Sequence, residues 1–265
     1  MNEQAIAVAE PQGPAPPAAG PMPEPTLAER CSAVSAAVQA DRIRRASRIV
    51  PVRSLWPSML GDPCERRVTY HKGQWKDRRP ITPELQGIFD AGNMWGERTV
   101  RELQDAGLRV ERTEQPWEIQ PQGVSGRLDL DLVTGDGRGP NDRLASEVKS
   151  MSPHVFSAVS SVDDFRKSRY AHLRRYPGQL ALTLHGLKRD AGVFILREKV
   201  TGAWKLLPMV ANPPLVTDLL ARADRVNAHV AAGTLPERID PSLGHCESCD
   251  FAHVCLPDEA PREAA

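Results

Sequence analysis

The chain has 265 residues, of which 40% are hydrophobic and 26% charged, and its 34 basic and 34 acidic side chains cancel to a formal net charge of zero. That much apolar material builds a sizeable core, and no stretch reaches the length of a membrane-spanning helix. The balance excludes a protein drawn to nucleic acid by its overall charge, so any such contact has to come from local patches.

Residues 1–25 are rich in Pro, Ala and Gly and are expected to be disordered, as is the short tail 257–265. The N-terminus lacks the basic start and apolar run of a signal peptide, which points to the cytoplasm. Residues 26–50 form an N-terminal segment, helical over 26–48, and residues 51–256 form the main domain. Thr82 reads as an N-cap with Pro83 at the first helical position. Leu85, Ile88, Phe89, Trp95, Val100 and Leu103 then recur at helical spacing, and Gly107 stops the helix. Segments 108–118 and 123–133 read as strands, separated from a third strand at 144–149 by the Gly/Asp-rich loop 134–142. Residues 162–187 read as helical with an interruption near Pro177. A hairpin follows at 191–198 and 203–209 around Thr201-Gly202, then a helix from Pro213 to Gly233. This order predicts an α/β domain with a central mixed sheet flanked by helices.

Three clusters of basic residues could neutralise phosphates. One holds Arg42, Arg44, Arg45 and Arg48. Another holds Arg66, Arg67, Lys72, Lys76, Arg78 and Arg79. The third holds Arg166, Lys167, Arg169, Arg174 and Arg175. Each equally suits a solvated face. Trp56, Tyr70, Trp75, Trp95 and Tyr176 could stack on bases, although core packing is the commoner use of an aromatic.

Strand side chains alternate faces, so Glu147 and Lys149 project together while Val148 points the other way. Asp129, on the preceding strand, could meet them at one end of the sheet. Two carboxylates are the hard oxygen ligands that Mg2+ or Mn2+ requires. A lysine beside them can hold or help deprotonate water and offset phosphate charge. By itself this pattern also describes a strand with a surface ion pair. Asp131 shares a face with Asp129 and is an alternative ligand.

GRLDL (126–130), SEVKS (146–150) and YPGQL (176–180) together resemble the PD-(D/E)XK nuclease superfamily. Within it the chain is similar to the RecB-type branch that includes CRISPR-associated exonucleases, AddAB-type subunits and many phage exonucleases. That branch carries four cysteines on a 4Fe-4S cluster. Its cysteine spacing matches Cys64 with Arg66 and Tyr70, then Cys246, Cys249 and Cys255. The resemblance, which spans about residues 52–256, implies a restriction-endonuclease-like core closed by a C-terminal cysteine clasp. It implies Asp129, Glu147 and the Val148 carbonyl as metal ligands, Lys149 as the catalytic lysine and Gln179 as an orienting residue. An upstream helix ligand, His or Glu in the family, corresponds to Glu97, with Asn93 as the other polar choice.

Five cysteines are an odd number, and in a reducing compartment thiols are free or metal-bound rather than paired. C-x2-C-x5-C with one distant cysteine lacks the second knuckle of common zinc sites, which favours iron–sulfur. His245 and His253 keep structural zinc as the alternative. Cys31 is a spare thiol.

The expected function is a metal-dependent DNA exonuclease acting on single strands or DNA ends in recombination, repair or phage DNA processing. It would have a possible helicase or recombination partner, since no Walker-A loop is present. The alternatives are a catalytically inactive DNA-binding subunit with the same fold and a redox sensor built on the cluster.

Overall fold

The computed structural model describes residues 24–139 and 142–256. The tails expected to be disordered, 1–25 and 257–265, lie outside the described residues except for Glu24 and Pro25. The chain divides after Asp41 into two units. The first holds most of helix α1 (Leu27–Ala46). Thr26 opens it with a reciprocal box: Glu29 accepts from the Thr26 amide at 2.7 Å, and Thr26 Oγ1 accepts from the Glu29 amide at 3.3 Å.

The second unit begins with α2 (Pro57–Leu60), α3 (Glu65–Gly73) and α4 (Pro83–Asp105). Strands β1 (Arg109–Glu111), β2 (Gln115–Ile119), β3 (Val124–Leu128), β4 (Leu130–Val133) and β5 (Arg143–Met151) follow. Next come α5 (Pro153–Ala158), α6 (Val162–Lys167), α7 (Ala171–Arg174) and α8 (Tyr176–Leu187). The chain continues through β6 (Ala191–Glu198), β7 (Trp204–Val210), α9 (Pro213–Ala232) and α10 (Ala252–Cys255). No helix among the described residues is long and apolar enough to cross a membrane.

Five strands form a mixed sheet in the order β1-β4-β5-β6-β7, with β5 and β6 parallel and the other neighbours antiparallel. A parallel pair needs a long crossover, here α5 to α8. Gly192 lets β6 lie close to β5: a Cβ there would stand 2.6 Å from the Ala145 carbonyl oxygen. On one face, Leu103 of α4 packs with Leu130, Leu132, Val193 and Ile195. On the other, Leu180 and Leu184 of α8 pack with Phe194 and Leu196, and α9 adds Val216, Leu219 and Val226.

Thr82 caps α4, accepting from the Leu85 amide at 3.2 Å, and Asn212 caps α9 the same way from Leu215 at 3.1 Å. Both caps satisfy backbone donors that the helix leaves open.

Three elements differ from the sequence reading. The strand expected at 123–133 breaks at Asp129 into β3 and β4, and that at 108–118 breaks into β1 and β2. The halves on either side of the break belong to different sheets, because β2 and β3 form a separate two-stranded sheet. The helix expected over 162–187 is three helices. Pro177 does not interrupt it but lies in the first turn of α8, where its missing amide costs nothing.

Candidate active site and cysteine cavity

Alternation along β5 sorts its side chains between the two cores. Val148 pairs with Ile195 and packs on the α4 side. Glu147 and Lys149 pair with Phe194 and Leu196, which places them on the α8 side. Leu130 pairs with Ser146, so extending the antiparallel register by one residue sets Asp129 opposite Glu147. The chain bends out of the large sheet there. The Val148 amide thereby loses a backbone partner, and Asp129 Oδ2 accepts from it at 2.8 Å. The N–H and C=O of one strand residue point the same way, so the Val148 carbonyl faces this gap too.

Glu147 is 1% exposed. Its Oε1 accepts from Lys149 Nζ at 2.6 Å and from the side-chain amide of Gln179 on α8. Its Oε2 is buried without a hydrogen-bond partner. The Tyr176 ring lies 4.9 Å from Lys149 Nζ and covers that ammonium.

Burial, reinforced by the nearby charge of Asp129, pushes the Glu147 carboxyl up to about 7. Burial likewise raises Asp129, against the pull of Lys149 and the Val148 amide. Burial alone would lower Lys149, but Glu147 and Asp129 outweigh it and hold the ammonium above its ordinary range. A buried carboxylate, Glu147, and a half-buried one, Asp129, thus share one cation and still lack positive charge. Together with the orphaned Oε2, they fit a divalent cation, which proteins commonly hold through one or two carboxylates plus water and substrate phosphate. Lys149 suits charge stabilisation and hydrogen-bond donation better than proton abstraction, because it keeps its proton.

Glu114 belongs to the same neighbourhood and was not singled out from the sequence. Its amide donates to the Asp129 carbonyl at 3.3 Å, and extending the β2–β3 register sets it opposite Asp129. Partial desolvation and the Asp129 charge raise its carboxyl, although the side chain is 63% exposed. Both Glu114 and Arg112 adopt a positive φ, 54° and 52°. The only sequence signal for Glu114 was the hairpin register itself.

Asp131 is buried and ion-paired to Arg189 at 3.2 Å, so its visible role is to fasten β4 to the residues after α8. Glu97 is corrected by the structure. It lies on α4, which packs on the opposite face of the sheet, and it is 71% exposed beside Arg101 at 3.6 Å. Asn93 is exposed on the same helix. Neither joins the cluster, because helical periodicity turns Trp95, Thr99 and Leu103 inward instead.

Much of the basic surface is tied down within the chain. Arg45 pairs with Asp90 at 2.8 Å, Lys72 donates to Asn227 at 2.6 Å, and Arg175 pairs with Asp62 at 2.6 Å. Tyr70 and Trp95 are buried, whereas Trp56 is exposed.

Cys64, Cys246, Cys249 and Cys255 line one cavity of about 110 Å³, with Arg66, Arg67 and Arg175 also in its wall. None of the four is in a disulfide. Burial raises the Cys249 thiol, and the nearness of Cys64 adds to this. Phe251, fully buried, stacks on Tyr70 at 5.3 Å, and Arg67 bridges Asp62 and Asp250 at 3.0 and 2.9 Å. These contacts seat the cysteine tail on α3. The thiol set and the cationic wall suit an anionic metal–thiolate group. The side chains are not drawn together: among the described residues no group of three or more His, Cys, Asp or Glu stands ready to hold a metal ion.

No family model matches the sequence, and no curated protein matches it either. Among solved structures, the crystal structure of SSO0001 is similar at a TM-score of 0.51 and 14% identity, covering 86% of this chain and 98% of that one. An alkaline exonuclease (LHK-Exo) from Laribacter hongkongensis aligns at a TM-score of 0.46 and 10% identity, over 73% of this chain and 93% of that one. The same enzyme in complex with dAMP aligns at 0.45 and 10%, over 75% and 93%. The likeness to SSO0001 is one of fold.

Proposed function

We propose that this chain is a divalent-metal-dependent DNA nuclease of the PD-(D/E)XK type, cutting phosphodiester bonds in single strands or at DNA ends. The observation that carries this reading is the cross-strand pair of Asp129, which accepts from the Val148 amide, and Glu147, which accepts from Lys149 and Gln179 and has Oε2 left for a ligand. Asp129, Glu147 and the Val148 carbonyl would hold Mg2+ or Mn2+. When bound, such an ion polarises a phosphoryl oxygen and lowers the pKa of water. Lys149 would donate to the scissile phosphate and offset its charge. Gln179 holds Glu147 Oε1, which turns Oε2 toward the ligand. The four cysteines would take a 4Fe-4S cluster, or zinc, that joins Cys64 to the tail across a loop of nearly the whole domain. Action in recombination, repair or phage DNA processing, with a helicase partner, belongs to the same proposal.

The test is degradation of end-labelled DNA by anaerobically purified protein with EDTA, Mg2+ or Mn2+. Metal-dependent cutting is expected, lost by a thousand-fold or more in Glu147→Ala and Lys149→Ala while both stay folded. Cutting that survives in both variants sinks this assignment.

A further inference from the structure

A groove of about 910 Å³ opens beside the catalytic cluster, between the chain before α2 and the β2–β3 hairpin. Its lining includes Gln179 and Thr183 of α8, and Gln179 is the residue that holds Glu147. The groove therefore adjoins the site at Gln179.

Its walls are built rather than loose. The Leu55 amide donates to the Gly123 carbonyl at 2.9 Å, the Ser125 amide to Leu55 at 3.0 Å, and the Ser54 and Ser125 hydroxyls meet at 2.5 Å. Trp117 is its floor, pressed between β3 and α8. A Cβ at Gly126 or Gly186 would come within 2.6 or 2.5 Å of the Trp117 ring. Two glycines thus give up helix and strand stability to seat one indole.

Trp56 stands in the wall, 39% exposed, at the N-cap of α2. That position usually takes Ser, Thr, Asp or Asn, and Trp56 makes no side-chain cap bond. Neither capping nor burial explains an indole there. Arg53 and Arg127 are exposed along the same groove. Arg53 has no ion-pair partner among the described residues, and Arg127 has only a 3.9 Å approach to Glu114. Glu118 is the one acidic side chain in the wall, and Gln120 donates to it at 2.5 Å.

We propose that this groove guides single-stranded DNA into the catalytic cluster, with Trp56 stacking on a base and Arg53 and Arg127 binding phosphates. The inference rests on the nuclease reading and names its substrate form. A base inside a duplex has both faces covered by its neighbours, so only an unpaired base can lie on an indole. Guanidinium groups with their donors uncommitted suit phosphate oxygens.

The experiment is a fluorescence-anisotropy titration of labelled oligo(dT), and of a duplex of equal length, in EDTA so that nothing is cut. The single strand is expected to bind more tightly than the duplex. Trp56→Ala should weaken the single strand roughly ten-fold or more with little effect on the duplex, and Trp56→Phe should recover most of the loss. The double variant Arg53→Ala/Arg127→Ala should reduce the slope of log affinity against log salt by about 1.4. Unchanged oligo(dT) affinity in Trp56→Ala, or an equal loss on the duplex, overturns the proposal. Hydrolysis of bis(p-nitrophenyl) phosphate by the wild type with Mn2+ reports the catalytic reading separately, because that ester needs no groove. If it fails while the binding pattern holds, the error lies in the chemistry and not in the groove.

Discussion

At the scale of single residues, the site turns on one ammonium among buried carboxylates. Removing one partner from a buried ionic set costs more than the set contributes, because the rest stay buried and unpaired. Lys149→Met keeps much of the side-chain volume and removes the charge. In EDTA near pH 9 it should lose about 3 kcal/mol of unfolding free energy. Without the ammonium, Glu147 titrates above its present value of about 7. A carboxyl raised in the folded state costs stability as pH climbs from its ordinary range to the folded value. The deficit should therefore shrink toward pH 5, where Glu147 holds a proton, and excess Mn2+ should reduce it at pH 9. Denaturant melts at both pH values check this; a deficit independent of pH contradicts the arrangement. Of the site residues, Glu147 and Lys149 are legible because strand alternation follows from local sequence, Asp129 because it lies on the preceding strand, and Gln179 only through the family resemblance. Glu114 was not, since only the pairing of β2 with β3 brings it opposite Asp129.

At the scale of elements, the decisive feature is the bend at Asp129, which hands the chain from the β2–β3 sheet to the main sheet. The break leaves the Val148 amide for the Asp129 side chain. Sequence alternation runs through it unbroken, so the strand reads as continuous. Helix α4 shows the reverse case, since its cap and stop are both visible in the sequence. Thr82→Ala should cost about 1 kcal/mol in a denaturant titration, the usual worth of such a cap. Inside α4, Glu102 pairs with the buried Arg197 at 2.6 Å, and Arg197 stacks on Trp204 at 3.9 Å. Hydrogen bonds from Arg197 and Arg98 pull the Glu102 carboxyl from 4.5 down to about 2. A depressed carboxyl contributes stability above its ordinary pKa and loses it as pH falls toward the folded value. Glu102→Gln should therefore melt below the wild type at pH 7, and the gap should narrow below about pH 4.5 and close only near pH 2. A gap that persists there would place the loss in packing instead.

At the scale of the whole molecule, the cysteine tail is seated by ordinary packing as well as by whatever its thiols bind. Phe251→Ala removes a fully buried ring stacked on Tyr70 and should cost about 3–5 kcal/mol. Limited proteolysis should then cut first between Gly233 and Cys246. Cys249→Ala separates the two contributions. It keeps Phe251 and the Arg67–Asp250 pair, so it should yield colourless protein with a less protected tail. If that variant stays brown, Cys249 is not a ligand.

Local sequence was enough for the helix ends at Thr82 and Gly233, the strand that pairs Glu147 with Lys149, and the cysteine spacing. Each depends on neighbours within a few residues, where capping, alternation and turn chemistry act. Long-range packing was needed to set α4 across the sheet from Glu147, which leaves Glu97 outside the cluster, and to bring Glu114 and Gln179 up to the carboxylates. It alone placed Trp56 on a groove rather than in the core. These outcomes rest on which face of β5 each helix covers and on strand register, and both are set by the burial of residues far apart in the chain.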